Sequence, residues 1–368
     1  MALNFSAWGN SLYTGKISYQ IVPKRRIWFA AAGLVVVACA ILLIRPGLHL
    51  GIEFQGGSEF RVSAIAGEVS QQTATEVVQK VAGAGLAPKV SNLGNDGIRV
   101  QTPTLSLETA NALREALAEA YQVPVDNVSV QEVGATWGAG VFSKALRGAV
   151  IFLFFVALAM MLYFRSWAMS LSAIAALLHD LVVTVGVYAA VGFEVTPATL
   201  IGFLTVLGYS MYDTVVVFDK VRENTANVID QSRFTYGEAA NLAVNQVIVR
   251  SINTSVVALL PVTSILFVGS FMMGASTLQD ISLALFVGLA AGTYSSLFLA
   301  TPLAVFIRTR EPKLAAHTKK VLEARAARIG SDEDAESAME AMSRIGATKA
   351  GGHLGQAAQP RRKRRSGR

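Results

Sequence analysis

Four ionisable residues of this sequence lie within or at the ends of long apolar stretches. They are His179, Asp180, Asp213 and Arg250. An ionisable side chain inside a lipid bilayer is costly, and such residues commonly face a protein interior or a wet cavity and mark ion pathways. If the apolar stretches cross a membrane, the chemistry open to these side chains is the binding and release of protons.

The composition is that of an integral membrane protein. Of the 368 residues, 52% are hydrophobic and only 15% are charged, whereas soluble domains are about a quarter charged. A membrane-spanning helix needs about 20 mostly apolar residues. Six stretches meet this requirement, and they cover residues 27–44, 146–164, 167–191, 199–218, 248–268 and 281–306. The sequence therefore predicts a polytopic α-helical membrane protein with six transmembrane helices.

The distribution of Lys and Arg predicts the orientation, because these residues favour the cytoplasmic side of a membrane. Lys24 and Arg25 precede the first stretch, and Lys220 and Arg222 follow the fourth, whereas residues 269–280 contain no Lys or Arg. Both termini are therefore expected in the cytoplasm. The predicted organisation is a cytoplasmic N-terminus (1–26), a first transmembrane helix (27–44), an extracytoplasmic domain (45–145), a five-helix transmembrane region (146–307) and a basic tail (308–368).

The extracytoplasmic segment has the pattern of a small α+β domain. Alternating residues, periodic apolar residues and turn residues predict six elements. In order these are a strand at 52–63 with a Gly-Gly interruption, a helix at 70–84, strands at 89–93 and 98–102, a helix at 106–121 and a strand at 128–133. The order β-α-β-β-α-β is that of the ferredoxin-like fold, which by itself implies no function.

Asp213 is the residue that most needs a chemical explanation. It stands six residues before Asp219, which is expected at the cytoplasmic interface, so it lies about 9 Å deeper along the helix. A carboxylate is too short to reach the interface from there. It must be protonated, paired, or exposed to a wet cavity, and apolar surroundings favour its neutral form. The alternative is an acid that is hydrogen-bonded within the bundle for packing alone.

Arg250 is the predicted partner of Asp213. It begins the fifth stretch, which runs antiparallel to the fourth, so the two residues are expected at similar depth. An ion pair would hold Asp213 ionised, and protonation would release Arg250, which makes a two-state switch. The alternative is an arginine that reaches the cytoplasmic headgroups. The predicted supporting polar residues are Tyr209, Tyr212, Asn253 and Thr254.

His179 and Asp180 lie near the middle of the third stretch, where an ionisable group is most costly. Neighbouring residues of a helix point about 100° apart, so both side chains are not expected to face one partner. We expect one to take part in a proton path and the other to be a hydrogen-bonded packing residue.

Small residues of the sixth stretch predict a close contact between helices. Gly288, Gly292 and Ser296 recur every four residues, so they lie on one helix face, and such a face allows two backbones to approach.

Motifs for several other functions are absent from the sequence. There is no Gly-x-x-x-x-Gly-Lys-Ser/Thr phosphate loop, no Cys/His cluster with metal-ligand spacing and no serine nucleophile elbow. Neither catalytic residues, nor a metal, nor a cofactor are therefore expected. The energy source open to such a protein is the ion gradient across its membrane.

The single cysteine, Cys39, lies in the first apolar stretch, so no internal disulfide can form. Residues 36–39 loosely match a lipoprotein cleavage site. However, the apolar run continues to Ile44 and 26 residues precede it, so we expect an uncleaved transmembrane helix.

Five segments carry a resemblance to a known family. They are GIEFQGGSEF (51–60), which holds the motif residues Gly51, Phe54, Gly56 and Gly57, together with LHD (178–180), GYSMYDTVVVFDKVREN (208–224), VRSINTS (249–255) and GTYSSLFLATPL (292–303). In order and spacing these segments resemble the SecF family of bacterial protein translocase subunits. That family is related to the SecD subunits and to the resistance-nodulation-division transporters. Glu53 stands where many members have Asp, and the tail after Arg308 falls outside the resemblance.

The resemblance implies an accessory role in protein export. Members pair with SecD beside the SecYEG channel and use the proton motive force in late steps of translocation, after SecA has driven the preprotein across. The family's intramembrane acid and its basic partner, both implicated in proton conduction, correspond to Asp213 and Arg250. The resemblance also implies a location in the bacterial cytoplasmic membrane.

Two other functions are compatible with parts of the sequence. A small-molecule or lipid exporter of the resistance-nodulation-division class would share the intramembrane acids, although such proteins usually carry both halves in one chain. An intramembrane aspartyl protease would use Asp180 and Asp213 as paired acids. That class needs a Gly-x-Gly-Asp motif, whereas Leu177 and Leu178 precede His179 here.

The basic tail is predicted to be disordered. From Arg308 onward the sequence has fifteen Lys and Arg against seven Asp and Glu, and a basic run at 361–365 follows a Gly-, Ala- and Gln-rich stretch. Basic residues attract anionic lipids by about 1 kcal/mol each near a membrane surface. We therefore expect lipid contact there, with a ribosome contact as the alternative and no other nucleic-acid binding.

Overall fold

The structure of the protein, a computed structural model, describes residues 5–67, 69–94, 96–272 and 276–329. In these ranges six helices are long and apolar enough to cross a membrane, which confirms the prediction of a polytopic α-helical membrane protein. The candidate spans are Arg25–Ile44, Thr136–Phe164, Trp167–Val191, Pro197–Thr225, Tyr236–Gly269 and Leu278–Arg308.

The helices and strands are numbered in chain order. The α-helices of the described residues are α1 (Phe5–Tyr13), α2 (Arg25–Ile44), α3 (Ile52–Gln55), α4 (Gln71–Ala82), α5 (Leu107–Ala120), α6 (Ala135–Phe164), α7 (Trp167–Val191), α8 (Pro197–Thr225), α9 (Tyr236–Ile265), α10 (Ser276–Ser295), α11 (Thr301–Arg308) and α12 (Pro312–Ile329). Two π-helical turns, Leu266–Met272 and Ser296–Ala300, follow α9 and α10. The strands are β1 (His49–Leu50), β2 (Gly57–Val62), β3 (Lys89–Leu93), β4 (Gly97–Thr102), β5 (Val128–Val133) and β6 (Glu194–Val195).

The chain forms two compact units. Of the described residues, the first unit comprises 5–25, 216–251 and 301–329, and the second comprises those within Arg26–Val215 and Ile252–Ala300.

The second unit contains a small domain between α2 and α6. Its four strands form an antiparallel sheet in the order β3-β4-β2-β5, with α4 and α5 as the two intervening helices. A serine is the N-cap of each helix. The side chains of Ser70 and Ser106 accept hydrogen bonds from the backbone N–H groups three residues later. The core lies between the sheet and the helices and includes the fully buried Phe60, Val100 and Leu113.

The strand predicted for residues 52–63 is wrong in its first part. Residues Ile52–Gln55 form the short helix α3, and β2 begins only at Gly57. Gly56 and Gly57 have φ angles of 80° and 149°, which end the helix and redirect the chain. Phe54 packs in a buried cluster with Tyr188 and other residues near the ends of the membrane helices, so its apolar character reflects that contact and not the alternation of a strand.

Small residues lie where the membrane helices of the second unit meet. A Cβ added at Gly292 would be 2.9 Å from the Cβ of Ser210, and one added at Gly202 would be 2.7 Å from the Cβ of Ala284. A Cβ added at Gly288 would clash with Val206. The backbones of α8 and α10 therefore approach more closely than bulkier residues would allow.

In the first unit the N-terminal segment is attached to α9 by two asparagines. The side-chain oxygen of Asn241 accepts from the backbone N–H groups of Ile21 and Val22, both at 3.0 Å. Asn245 accepts from the N–H of Tyr19 at 2.7 Å and donates to its carbonyl oxygen at 2.9 Å. The amides thus satisfy backbone groups that no regular element pairs.

The prediction of disorder from residue 308 onward is wrong for the first part of the tail. Residues Pro312–Ile329 form α12, in which Leu314 and Val321 are buried. Arg325 donates to both carboxylate oxygens of Glu238 at 2.7 Å. The proline is well suited to a first helical position, and two apolar residues seven apart supply a buried stripe within a charged segment. The basic run at 361–365 lies outside the described residues.

Candidate functional site

Asp180 is fully buried among polar side chains in the second unit. Its Oδ2 accepts hydrogen bonds from Ser210 Oγ at 2.6 Å and from Ser295 Oγ at 2.8 Å. The Nδ1 atom of His179 lies 3.2 Å from Oδ1. The neighbouring His179 and Asp180 therefore contact each other, whereas the sequence suggested that they point to different surroundings. Three polar contacts compensate for much of the cost of burying this acid.

Asp213 is 6% exposed and is held by a different serine. Its Oδ2 accepts a hydrogen bond from Ser296 Oγ. Ser296 was predicted from its spacing as a helix-packing residue, and the structure also gives it this contact with a carboxyl group. Asp213 lies three residues after Ser210 on α8. One turn of this helix therefore carries both Asp213 and the serine that donates to Asp180.

The two serines lie where α10 passes into a π-helical turn. Ser295 is the last residue of α10, and Ser296 is the first residue of the turn Ser296–Ala300. Wide turns of this kind occur frequently at functional sites. The close approach at Gly292 admits the Ser210 side chain beside Asp180. The signal for this arrangement was present in the segment GTYSS, but spacing alone did not identify Ser210 and Ser295 as partners of Asp180.

Aromatic side chains complete the surroundings of the two acids. The ring centroids of His179 and Tyr294 are 6.1 Å apart, and within the part of the chain that the structure describes, His179 Nε2 is buried without a hydrogen-bond partner. The hydroxyl of Tyr209 donates to the carbonyl oxygen of Thr254 at 2.9 Å. Tyr212 is 57% exposed, and its supporting role beside Asp213 stays a prediction.

The remaining predicted residues have different surroundings. Asn253 is exposed on α9, whereas its neighbour Ser255 is buried and accepts from Thr293 Oγ1 at 2.6 Å. Arg250 belongs to the first unit and Asp213 to the second, so their ion pair stays a prediction. In the described ranges no group of three or more His, Cys, Asp or Glu side chains has the geometry of a metal site.

The Gly-Gly segment lies beside a second polar site, which the sequence did not reveal. Glu53, Glu59, Arg99, Glu194 and Asp280 line a cavity of about 220 Å³ together with Arg61 and the first residues of α8. The motif residues Gly51 and Phe54 position this segment. Gly51 N–H donates to a backbone carbonyl of β6 at 2.9 Å, because β1 pairs with β6 in parallel.

Glu194 connects this site to the small domain. It accepts hydrogen bonds from Lys89 Nζ at 2.7 Å and Gln101 Nε2 at 3.0 Å, and its carboxylate lies 3.5 Å from Arg99. Burial alone would raise the pKa of Glu194, but the hydrogen bonds from Lys89 and Gln101 and the positive charges of Lys89 and Arg99 outweigh burial and lower it. Burial is the main reason that the pKa of Glu53 is raised.

Comparison with known proteins identifies the family. Residues 113–310 match the model of the C-terminal part of the protein export membrane proteins SecD and SecF, and residues 41–64 match the model of the SecD/SecF GG motif. The chain belongs to the SecD/SecF family. The predicted site residues, from Gly51 to Gly57 and from His179 to Ser296, lie within these two matched ranges.

Relatives named Protein translocase subunit SecF match most of the chain. The one from Streptomyces coelicolor is 43% identical over 90% of this chain and 88% of its own length. The one from Mycobacterium tuberculosis (strain H37Rv) is 40% identical over 85% of this chain and 72% of its own length.

A solved structure shares the fold. The crystal structure of SecDF from Thermus thermophilus, described as a translocon-associated membrane protein, is 28% identical and superimposes with a TM-score of 0.71 over 80% of this chain. This chain spans 39% of the length of that protein.

Proposed function

We propose that the chain is an accessory subunit of the bacterial Sec protein-export machinery, which promotes late, proton-motive-force-dependent steps of preprotein translocation. Membership of the SecD/SecF family carries this proposal, because relatives that match 85–90% of the chain are named protein translocase subunits. The same matches do not favour a small-molecule or lipid exporter of the resistance-nodulation-division class. No catalytic activity belongs to this role.

The chain is expected to work with a partner of the SecD type. The Thermus SecDF chain is more than twice as long as the part that this chain matches, which supports a second subunit that supplies the rest. The proposed larger assembly includes the SecYEG channel and a preprotein that SecA has already driven partly across.

The buried acids supply the means of using a proton gradient, without any cofactor. Asp213 and Asp180 are carboxyl groups held by hydroxyl donors inside apolar helices. A carboxylate in such a place can accept a proton, lose its charge and change its hydrogen bonds, and this change can bias a two-state element. In the proposed mechanism Asp213 binds and releases the proton, and Arg250 stabilises its ionised form.

The proposed location is the bacterial cytoplasmic membrane, with both termini in the cytoplasm. The positive charges before the first span and after the fourth support this orientation, and it puts the small domain of β2–β5 on the outer side. Anionic lipids are the proposed contact of the basic tail.

Single cysteines test the orientation. In a Cys39→Ser background, Glu119→Cys on α5 and Lys319→Cys on α12 give two exposed thiols. A membrane-impermeant maleimide added to spheroplasts should label the first and leave the second unlabelled until the cells are lysed. Labelling of Lys319→Cys in sealed cells would contradict the proposed orientation and favour the opposite one.

The function is tested by Asp213→Asn in cells whose only copy of the subunit carries this substitution. The side chain keeps its size but cannot ionise. Precursor of a signal-bearing reporter should accumulate while membrane levels of the variant and its partner stay normal. Asp219→Asn, at the predicted interface six residues later, is the matched control and should export normally. Normal export by Asp213→Asn would refute the proton mechanism, and small-molecule sensitivity without an export defect would favour the exporter.

A further inference from the structure

Two consecutive serines hold two different buried acids. Ser295 Oγ donates to Asp180 on α7, and Ser296 Oγ donates to Asp213 on α8. Both serines and Asp180 are fully buried, and Asp213 nearly so. A single peptide unit therefore links carboxyl groups that lie on separate helices.

Each serine also has a second acceptor within its own helix. Ser295 Oγ lies 3.2 Å from the carbonyl oxygen of Gly292, and Ser296 Oγ lies 3.3 Å from that of Thr293. A hydroxyl group has one proton to donate. Each serine thus divides its proton between an aspartate on a neighbouring helix and a backbone carbonyl three residues earlier.

Protonation of an aspartate changes this division. An ionised carboxylate only accepts hydrogen bonds, whereas a protonated carboxyl group also donates one. When the acid takes up a proton, it can donate to the serine oxygen, and the serine proton is then directed to the helix carbonyl. No covalent O–H bond of the serine is broken, because only the direction of the hydrogen bond reverses.

The connection between the acids closes on the other side through α8. Ser210 donates to Asp180 and precedes Asp213 by three residues on the same helix. Titratable side chains described around the acids in this unit include His179, beside Asp180, and the tyrosines Tyr209, Tyr212 and Tyr294. A change of hydrogen bonding at one acid can therefore affect the other by two short connections. One runs along α8 from Ser210 to Asp213, and the other runs from Ser295 to Ser296.

We propose that Ser295 and Ser296 are positioning residues that couple the two acids, so that proton binding at Asp180 and at Asp213 is not independent. The coupling adds a step to the proposed function. Its link to export rests on that function, in which proton uptake drives export. The two serines lie at the junction of α10 and the π-helical turn, and their hydroxyl groups contact acids on α7 and α8.

The test is an infrared titration of the carboxyl C=O bands in the purified complex with the SecD-type partner. Asp180→Asn and Asp213→Asn assign the two bands. Ser295→Ala and Ser296→Ala each remove one donor, and Ser282→Ala is the matched control. Ser282 is buried on the same helix, and the contacts described for its hydroxyl are with that helix's own carbonyls.

With coupling, either serine variant shifts the titration midpoint of both acids, by about tenfold in proton affinity for the acid that loses its donor. Ser295→Thr and Ser296→Thr, which keep the hydroxyl, restore the wild-type titration. If an alanine variant does not insert, Ser296→Cys, which keeps the volume and donates weakly, replaces it. The proposal is overturned if each variant shifts only the acid that it contacts, if none shifts, or if Ser282→Ala has the same effect.

The infrared result is separate from the export result. Coupled titration together with normal export by Asp213→Asn would reject the proton mechanism of the proposed function and keep the coupling. Independent titration together with an export defect would reject the coupling alone.

Discussion

Glu194 is predicted to be a main electrostatic contact between the small domain and the loop that precedes α8. Its side chain is 11% exposed, accepts hydrogen bonds from Lys89 and Gln101, and lies close to the guanidinium group of Arg99. Hydrogen bonds to a charged group typically contribute about 1.5–3 kcal/mol each. Lys89 is 45% exposed, so water replaces much of its contribution, and an exposed ion pair contributes about 0–1 kcal/mol.

Glu194→Gln should therefore weaken this contact by about 1.5–3 kcal/mol, since the amide still accepts from Gln101 but no longer balances the charge of Arg99. The pairing of β1 with β6 should open more often, which raises the exchange rate of the Gly51 amide by about 10- to 100-fold. The measurement is hydrogen exchange of the protein in lipid nanodiscs at neutral pH. Lys89→Gln should change the rate by less than about fivefold.

The same contact has a defined pH dependence. The pKa of Glu194 is lowered from its ordinary value of 4.5, so the carboxylate stabilises the folded contact above that value. The stabilisation is lost as the pH falls through the folded-state pKa. Protection of the Gly51 amide, corrected for intrinsic exchange, should therefore decline only below about pH 4.5 and should not decline in this way in Glu194→Gln. The explanation fails if Glu194→Gln exchanges as slowly as wild type, or if Lys89→Gln has an effect as large as that of Glu194→Gln. The exposed Glu119→Gln is the control for a general effect of charge.

Three further predictions concern other parts of the molecule. Glu53→Gln should increase the protection of the Gly51 amide from hydrogen exchange at pH 7 and leave it unchanged at pH 4. The pKa of Glu53 is raised, so its ionisation opposes the fold as the pH rises. Equal effects at both pH values would contradict this explanation. Asn241→Ala should loosen the N-terminal segment, since the buried N–H of Val22 loses its acceptor at a cost of about 1–3 kcal/mol, whereas that of Ile21 keeps the carbonyl oxygen of Tyr19, and limited proteolysis should then cleave that segment faster. Gly288→Ala should destabilise the bundle by about 1–3 kcal/mol through its contact with Val206, whereas Gly33→Ala, with open space around it, should not change the thermal midpoint.

The sequence determined the membrane architecture, because hydropathy is a local property. The six apolar stretches required helices, since a backbone in lipid must satisfy its own hydrogen bonds. The small domain was also readable from its periodicity, apart from α3, where two buried residues resembled a strand. In that segment the contacts of Phe54 with distant helices overrode the local pattern. The helix α12 was missed because its few apolar residues lie in a strongly charged segment.

The choice of Asp213 and Asp180 as site residues also followed from the sequence, because a carboxyl group deep in an apolar stretch is costly and its depth can be estimated from the sequence. Their partners did not follow from it. Ser295 lies 115 residues from Asp180 and Ser296 lies 83 from Asp213, and serine is common in helices without any such role. Glu194 likewise resembled an ordinary loop residue until the fold brought it within reach of Gln101, 93 residues earlier. Tertiary structure alone decided these contacts, because a hydrogen bond depends on the distance between side chains and not on their separation in sequence.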